Sequence, residues 1–157
     1  MSGVSKAIVQ PLLSWYDAGH RDLPWRSEPA PYRVWVSEIM LQQTRVEAVR
    51  GYFSRWMNAL PDIPALAAAD EAVYTKLWEG LGYYSRVRNL HRAAVLLCEQ
   101  YGGELPADYD RLLALPGVGE YTAGAVASIA FGLPVPAVDG NVLRVAARLD
   151  NDFTPIT

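Results

Sequence analysis

Residues 34–44 read "VWVSEIMLQQT" and set one carboxylate, Glu38, inside an otherwise apolar stretch. Wound as a helix, the segment puts Glu38 on a face with Val34, Trp35, Leu41 and Gln42, while Val36, Ile39 and Met40 cover the opposite side. An element that is apolar nearly all round is expected inside the domain. A carboxylate held there must find a partner or keep a proton, because desolvation disfavours its charged form. A carboxyl that keeps its proton near neutral pH is equipped to act as a general acid. The competing reading is structural, with Glu38 reaching the surface or pairing with Arg26 or Arg45.

A second carboxylate has the opposite surroundings. In "VDGNVLRVAARL", Asp139 stands just ahead of a helical stretch that begins near Gly140, where it can serve as the N-cap. Capping alone would account for the residue. Yet an aspartate bonded to backbone amides at a helix N-terminus keeps its charge, the reverse of what burial does to Glu38. Cleavage of a glycosidic bond needs such a divided pair, an acid for the leaving group and an anion for the cationic sugar.

A third stretch, "LALPGVGEYTAGAVASIAFG", places Pro116, Gly117, Val118 and Gly119 before a helix rich in small residues. Two glycines allow a tight turn that brings backbone N–H groups to the positive end of a helix dipole, a setting suited to phosphate. An ordinary helix–helix connection also often contains glycine, so G-x-G alone is weak.

The elements that must position these groups are helical. Apolar residues recur at spacings of three and four, without sustained alternation, over about 5–18, 32–43, 45–59, 70–80, 84–101, 108–114, 119–131 and 140–149. Pro11 marks a kink or a late start in the first of these. Breakers fall between them, "PDIP", "GLG", "YGGELP" and "GLPVPAVDG" among them, and Asp70 is the expected N-cap of the fourth. No linker, low-complexity tract or internal repeat interrupts the chain, so 1–157 reads as a single all-α domain.

Composition bounds the function further. A chain of 157 residues with 51% hydrophobic and 20% charged residues supports a real core and excludes disorder. No apolar run approaches a spanning helix and no signal peptide is visible, which predicts an intracellular protein without a membrane role. The single cysteine, Cys98, permits no internal disulfide and no cysteine-based metal site, and is expected to be a small buried apolar residue. Net charge of -3 gives no global pull toward nucleic acid, so any such function must rest on local features.

Taken in order, "LPWR", "VWVSEIMLQQT", "WEGLGYYSRVRNLHRAA", "LPGVGEYTAGAV" and "AVDGNVLRVAARL" resemble the adenine DNA glycosylases of the MutY type, over about residues 10 to 150. The resemblance implies the all-α helix-hairpin-helix DNA glycosylase fold. Residues 22–137 would form a six-helix barrel module with the hairpin at 115–119, while 1–21 and 138–157 would be remnants of a second helical half that is largely missing. It implies hydrolysis of the N-glycosidic bond of adenine mispaired with 8-oxoguanine or guanine in double-stranded DNA. Such hairpins grip the DNA backbone through main-chain groups and need little net positive charge.

Position by position, the resemblance makes Glu38 the acid that protonates adenine and Asp139 the carboxylate that stabilises the oxocarbenium sugar, with Tyr121 and Asn141 supporting them. Trp25, Arg26 and Leu41 fall in the pocket that receives the extruded base, with Arg21 close by. Gln42 and Tyr83 match side chains that wedge into the duplex, and Gly117, Val118 and Gly119 match the hairpin that holds DNA. Stacked adenine cannot reach a catalytic acid and must be flipped out, so wedging residues are needed. Core packing is the alternative for Trp25 and Tyr83. Arg86, Arg88 and Arg92 are expected either to track phosphates or to line a solvated face. The related endonuclease III enzymes carry a lysine where this chain has Tyr121 and lack the helix glutamate. Lysine can form a Schiff base and cut the strand. Tyrosine cannot, and base excision without strand cleavage is therefore expected.

Most full-length relatives also carry an iron-sulfur cluster on four cysteines, three more helices and a C-terminal domain that helps read 8-oxoguanine. The resemblance thus implies a fragment or truncated member with no cofactor of its own and with activity weakened by truncation. A non-catalytic DNA-binding piece is the rival expectation, and an endonuclease III-like lyase a remoter one. The first helix, carrying Val9, Leu12, Leu13 and Tyr16, would lack its usual cover and either dock elsewhere or mediate self-association. Glu120, beside the hairpin, should weaken its hold on phosphate somewhat.

Overall fold

The structure is a computed structural model and describes residues 7–153. Among them every regular element is a helix. The chain divides into two compact units, one continuous over Leu23–Ala137 and one that joins the residues up to Asp22 to those from Val138 onward.

In the continuous unit the helices are α2 Pro24–Ser27, α3 Pro31–Leu41, α4 Val46–Ala59, α5 Ile63–Ala67, α6 Glu71–Trp78, α7 Ser85–Tyr101, α8 Tyr109–Leu113 and α9 Glu120–Phe131. Prolines stand in the first turn of α2, α3 and α5, where a missing N–H costs nothing and the fixed φ suits the helix. Asp62 and Asp108 cap α5 and α8, each accepting a backbone N–H at 2.8 Å. Asp70 occupies the N-cap position of α6 but makes no side-chain cap bond. Gly102 and Gly132 close α7 and α9 in the left-handed conformation that glycine tolerates.

The short helices α2 and α5 depart from the periodicity, which predicts neither. Helices of four and five residues make little more than one turn and so show at most a faint pattern, and "PDIP" reads as a breaker although its second proline is the second residue of a helix. The longer helices begin and end within a few residues of their expected bounds.

Helix α3 packs against α4, α7 and α9, so the element carrying Glu38 lies at the centre of this unit. Six of its eleven residues are buried apolar side chains: Tyr32, Val34, Trp35, Val36, Ile39 and Met40. The core continues through Phe53, Trp56 and Trp78, all 1% exposed or less. Burying three large aromatic side chains stabilises the fold by several kcal/mol, on the order of 2–3 kcal/mol each. Tyr32 ties the layers together, since its hydroxyl donates to the Leu60 carbonyl at 2.9 Å and accepts from Trp56 Nε1 at 3.0 Å. Burial pushes that hydroxyl's pKa far up, which keeps it protonated and able to donate well beyond neutral pH. Cys98 is half-buried at the edge of the core rather than within it.

At Gly124, α9 lies directly against the segment that follows it. A Cβ there would lie 2.2 Å from the Pro136 carbonyl oxygen. This explains why the middle of a well-packed helix carries the residue that costs it about 1 kcal/mol relative to alanine.

The discontinuous unit contains α1 Val9–Gly19 and α10 Gly140–Asp150. Pro11 stands in the first turn of α1, which agrees with a late start rather than a kink. Neither helix has a buried residue, and Leu12, Leu13 and Trp15 are each at least half exposed. No described helix is long and apolar enough to cross a membrane.

Candidate active site

Glu38 occupies the third-last residue but one of α3 and is mostly withdrawn from solvent, flanked by buried Ser37 and Ile39. Burial holds its pKa above the ordinary carboxylate value. A hydrogen bond from Tyr121 and, more weakly, the charge of Arg26 pull the other way. The competing structural reading needs an arginine pairing strong enough to keep the glutamate ionised, and desolvation outweighs Arg26 here. Tyr121, in the first turn of α9, is 38% exposed, so the carboxyl and its hydroxyl partner sit at the boundary between core and solvent. A protonatable group at such a boundary can hand its proton to a molecule placed against it.

Asp139 is the N-cap of α10. Its Oδ1 accepts the Val142 N–H at 2.8 Å, and its Oδ2 accepts from Asn141 Nδ2 at 3.1 Å. These bonds lower its pKa, the Val142 amide contributing most. Arg144, which the sequence reading missed, donates to Asn141 Oδ1 at 3.2 Å and so orients the amide that faces Asp139. Its spacing of three from Asn141 on a helix was the available signal. Replacing Asp139 with alanine should cost α10 about 1 kcal/mol of capping, as for other N-caps. Helical circular dichroism and thermal midpoint should both fall, whereas Asp139→Asn should keep most of the cap. Because the folded-state pKa is depressed, the aspartate's contribution is present above its unfolded value and fades as pH drops through its folded one.

The remaining expected site residues divide by placement. Trp25 is 5% exposed and packs edge-on against Phe53, with ring centroids 5.3 Å apart, which is a core position. Arg26 is exposed beside it, Leu41 is half-buried against the core, and Arg21 is exposed in the discontinuous unit. Gln42 follows α3, and its side-chain amide donates to Thr122 Oγ1 at 3.4 Å. Thr122, buried and next to Tyr121, was also not anticipated, since only the fold brings it to Gln42. Tyr83 is 66% exposed and adopts φ of +47°, uncommon for a non-glycine residue.

The basic residues and the hairpin require corrections. Arg86 was expected at phosphates or on a solvated face, but its guanidinium turns inward and donates to five carbonyl oxygens. Carbonyl groups left over at a helix end attract a cation more strongly than solvent does at a half-buried site. Arg88 is exposed but shares its charge with Glu71 Oε1 at 3.0 Å, and Arg92 donates to Asn89 at 3.5 Å. In the hairpin, Gly117 has φ of +77° and no room for a side chain, since a Cβ would lie 2.7 Å from the Asn89 Cβ. Val118 anchors the loop, with its side chain buried and its N–H donated to the Leu115 carbonyl at 3.1 Å. That amide is committed within the loop. Gly117 and Gly119 are the exposed members.

A four-thiolate cluster does not fit the residues present, because the sequence holds one cysteine. Among the described residues no cluster of histidine, cysteine and carboxylate side chains is arranged to hold a metal.

A helical scaffold with a glycine hairpin leading into the helix that supports a buried glutamate defines a class. Residues 36–154 match the HhH-GPD superfamily base excision DNA repair protein family, and the chain belongs to it. Within that family it is 51% identical over 147 residues to the adenine DNA glycosylase of Mus musculus, covering 88% of this chain and 28% of that protein. It is 47% identical to the adenine DNA glycosylase of Mycolicibacterium smegmatis, covering 87% of this chain and 47% of that one. The chain thus spans less than half the length of these relatives. Among solved structures it is similar to a thermostable thymine-DNA glycosylase, with a TM-score of 0.86 at 28% identity over 94% of this chain and 71% of the other. It is also similar to an endonuclease III in a non-covalent complex with DNA, with a TM-score of 0.81 at 27% identity over 96% of this chain and 70% of the other.

Proposed function

We propose that this chain carries the catalytic centre of a DNA glycosylase that hydrolyses the N-glycosidic bond of adenine opposite 8-oxoguanine or guanine, leaving the strand uncut. The observation that carries this reading is the state of Glu38, a carboxyl whose burial favours the protonated form and whose hydroxyl partner Tyr121 lies at the solvent boundary. Adenine expelled as an anion is a poor leaving group, and a proton delivered to the ring removes that difficulty. Asp139, held ionised by its cap bonds, supplies the negative charge that the developing oxocarbenium sugar requires. Tyr121 stands where a strand-cleaving relative would carry its lysine nucleophile, and no amine on that turn is available to form a Schiff base.

Double-stranded DNA is the partner in this reading. The exposed glycines of the hairpin face the backbone, Gln42 and Tyr83 enter the duplex, and Arg26 and Leu41 border the space for the extruded base. Support comes from the names of the relatives and from the exposure of Tyr83.

Incubation with duplexes containing adenine opposite 8-oxoguanine, followed by alkali, tests the proposal. Strand breaks that appear only after alkali are expected. Breaks without alkali would replace the reading with a lyase, and binding without breaks would reduce it to a DNA-binding module.

The apolar surface of α1 carries a second proposal, that two copies associate through Leu12, Leu13 and Tyr16. Sedimentation should show dimer growing with concentration, and Leu13→Glu should return the protein to monomer. A protein monomeric at every concentration would remove this proposal without touching the first.

A further inference from the structure

Arg86 makes the densest set of polar contacts among the described side chains, and the mechanism above leaves it without a role. Its Nη1 donates to the carbonyls of Ile39 at 2.9 Å, Met40 at 3.3 Å and Gln42 at 2.6 Å. Its Nη2 donates to Leu81 at 3.0 Å and Gly82 at 3.3 Å. The guanidinium carbon lies 5.3 Å from the Trp78 ring centroid and 5.7 Å from that of Tyr83. One half of this fork therefore grips the end of the helix that bears Glu38, and the other half grips the turn that leads into Tyr83.

Two residues with left-handed backbone stand directly beyond the gripped carbonyls: Gln43, with φ of +58°, next to Gln42, and Tyr83, with φ of +47°, next to Gly82. Non-glycine residues hold such conformations only where their surroundings enforce them. The two terminal nitrogens of this planar fork reach both turns at once while Nε is left without a partner, and a lysine ammonium, with three donors on one atom and no fixed fork, cannot span them in the same way.

We propose that Arg86 is a positioning residue that locks the Gln42 and Tyr83 turns into one rigid unit and so delivers the two side chains to DNA at a fixed spacing. The functional half of this statement rests on the reading that Gln42 and Tyr83 enter the duplex. The lock itself does not. It makes the two turns open together or not at all, and it makes the arginine essential for base extrusion while leaving it out of contact with the nucleic acid.

Amide hydrogen exchange separates these parts. In Arg86→Lys, which keeps the charge but not the fork, exchange at Thr44 and Leu81, whose amides donate to the Leu41 and Trp78 carbonyls, should rise together by about tenfold or more, with the middle of α7 unchanged. Adding Gln43→Gly, which adopts positive φ without strain, should restore protection at Thr44. A duplex with 2-aminopurine at the target position should then show slower extrusion for Arg86→Lys, by about tenfold, at nearly unchanged duplex affinity. Exchange that rises at one turn alone, or at neither, overturns the lock. Exchange that rises at both while extrusion keeps its wild-type rate leaves the lock standing and overturns the duplex-entry reading on which its function depends. A parallel loss of affinity and extrusion would mean that Arg86 contacts DNA directly, and would overturn the positioning role.

Discussion

Replacing Glu38 with glutamine should lower adenine release by a factor of roughly 10² to 10⁴, the range that a positioned general acid contributes, while duplex affinity stays within a few-fold. The substitution preserves size and can still accept the Tyr121 hydrogen bond, but an amide has no proton to transfer. Stability supplies the control. Because burial raises the folded-state pKa of Glu38, the wild-type fold loses stability as pH rises through that value, since the unfolded chain ionises more readily. The variant escapes this penalty and should melt no lower than wild type at neutral pH. Activity that disappears together with the fold would therefore argue against an acid role, and activity that persists would end it. The pH profile carries the same information. The acid must be protonated, so the rate should fall as pH rises past the elevated pKa of Glu38. The anion must be charged, so the rate should fall again as pH drops below the depressed pKa of Asp139. Single-turnover rates across pH should give a plateau bounded by those two limbs, with the alkaline limb absent from whatever activity the glutamine variant retains.

Gly124→Ala should lower the thermal midpoint by roughly 4–8 °C, taking about 2–4 °C per kcal/mol for a domain of this size. Two effects oppose each other. Alanine favours the helix by about 1 kcal/mol. Its methyl group, however, would lie 2.2 Å from the Pro136 carbonyl oxygen and 3.0 Å from the carbon that bears it. Both are backbone atoms that no rotamer change can move aside, so α9 or the segment after it must shift, at the upper end of the approximately 1–3 kcal/mol that overpacking costs. Sterics win by about 2 kcal/mol. Calorimetry decides the matter, and an unchanged or raised midpoint would mean that the 133–137 segment yields freely.

What the sequence made legible follows from the range of each interaction. The long helices were readable because their apolar spacing repeats through several turns, and burial around Glu38 could be read from its neighbours within the same helix. Asp139 as a cap was readable for the same local reason, an acceptor placed just before a glycine-led helix. Tyr121 reached Glu38 in advance only through resemblance to relatives, since no spacing rule joins residues so far apart. The direction of Arg86 was illegible. An arginine on a helix face looks alike whether it meets phosphate or carbonyl, and three of its five acceptors come from the segment 39–42. Val118 shows a subtler limit, because a valine between two glycines announces a tight turn without revealing that its own amide closes that turn.

The division of the chain also bears on how it is made. Helix α1 belongs with residues from Val138 onward, and the whole of Leu23–Ala137 lies between them. A ribosome adding about 5–20 residues per second needs on the order of ten seconds to synthesise that interval. The leucines and tryptophan of α1 emerge before that interval is made, and because Leu12, Leu13 and Trp15 stay half exposed or more in the finished fold, the segment is open to chaperones and to neighbouring nascent chains from its first appearance.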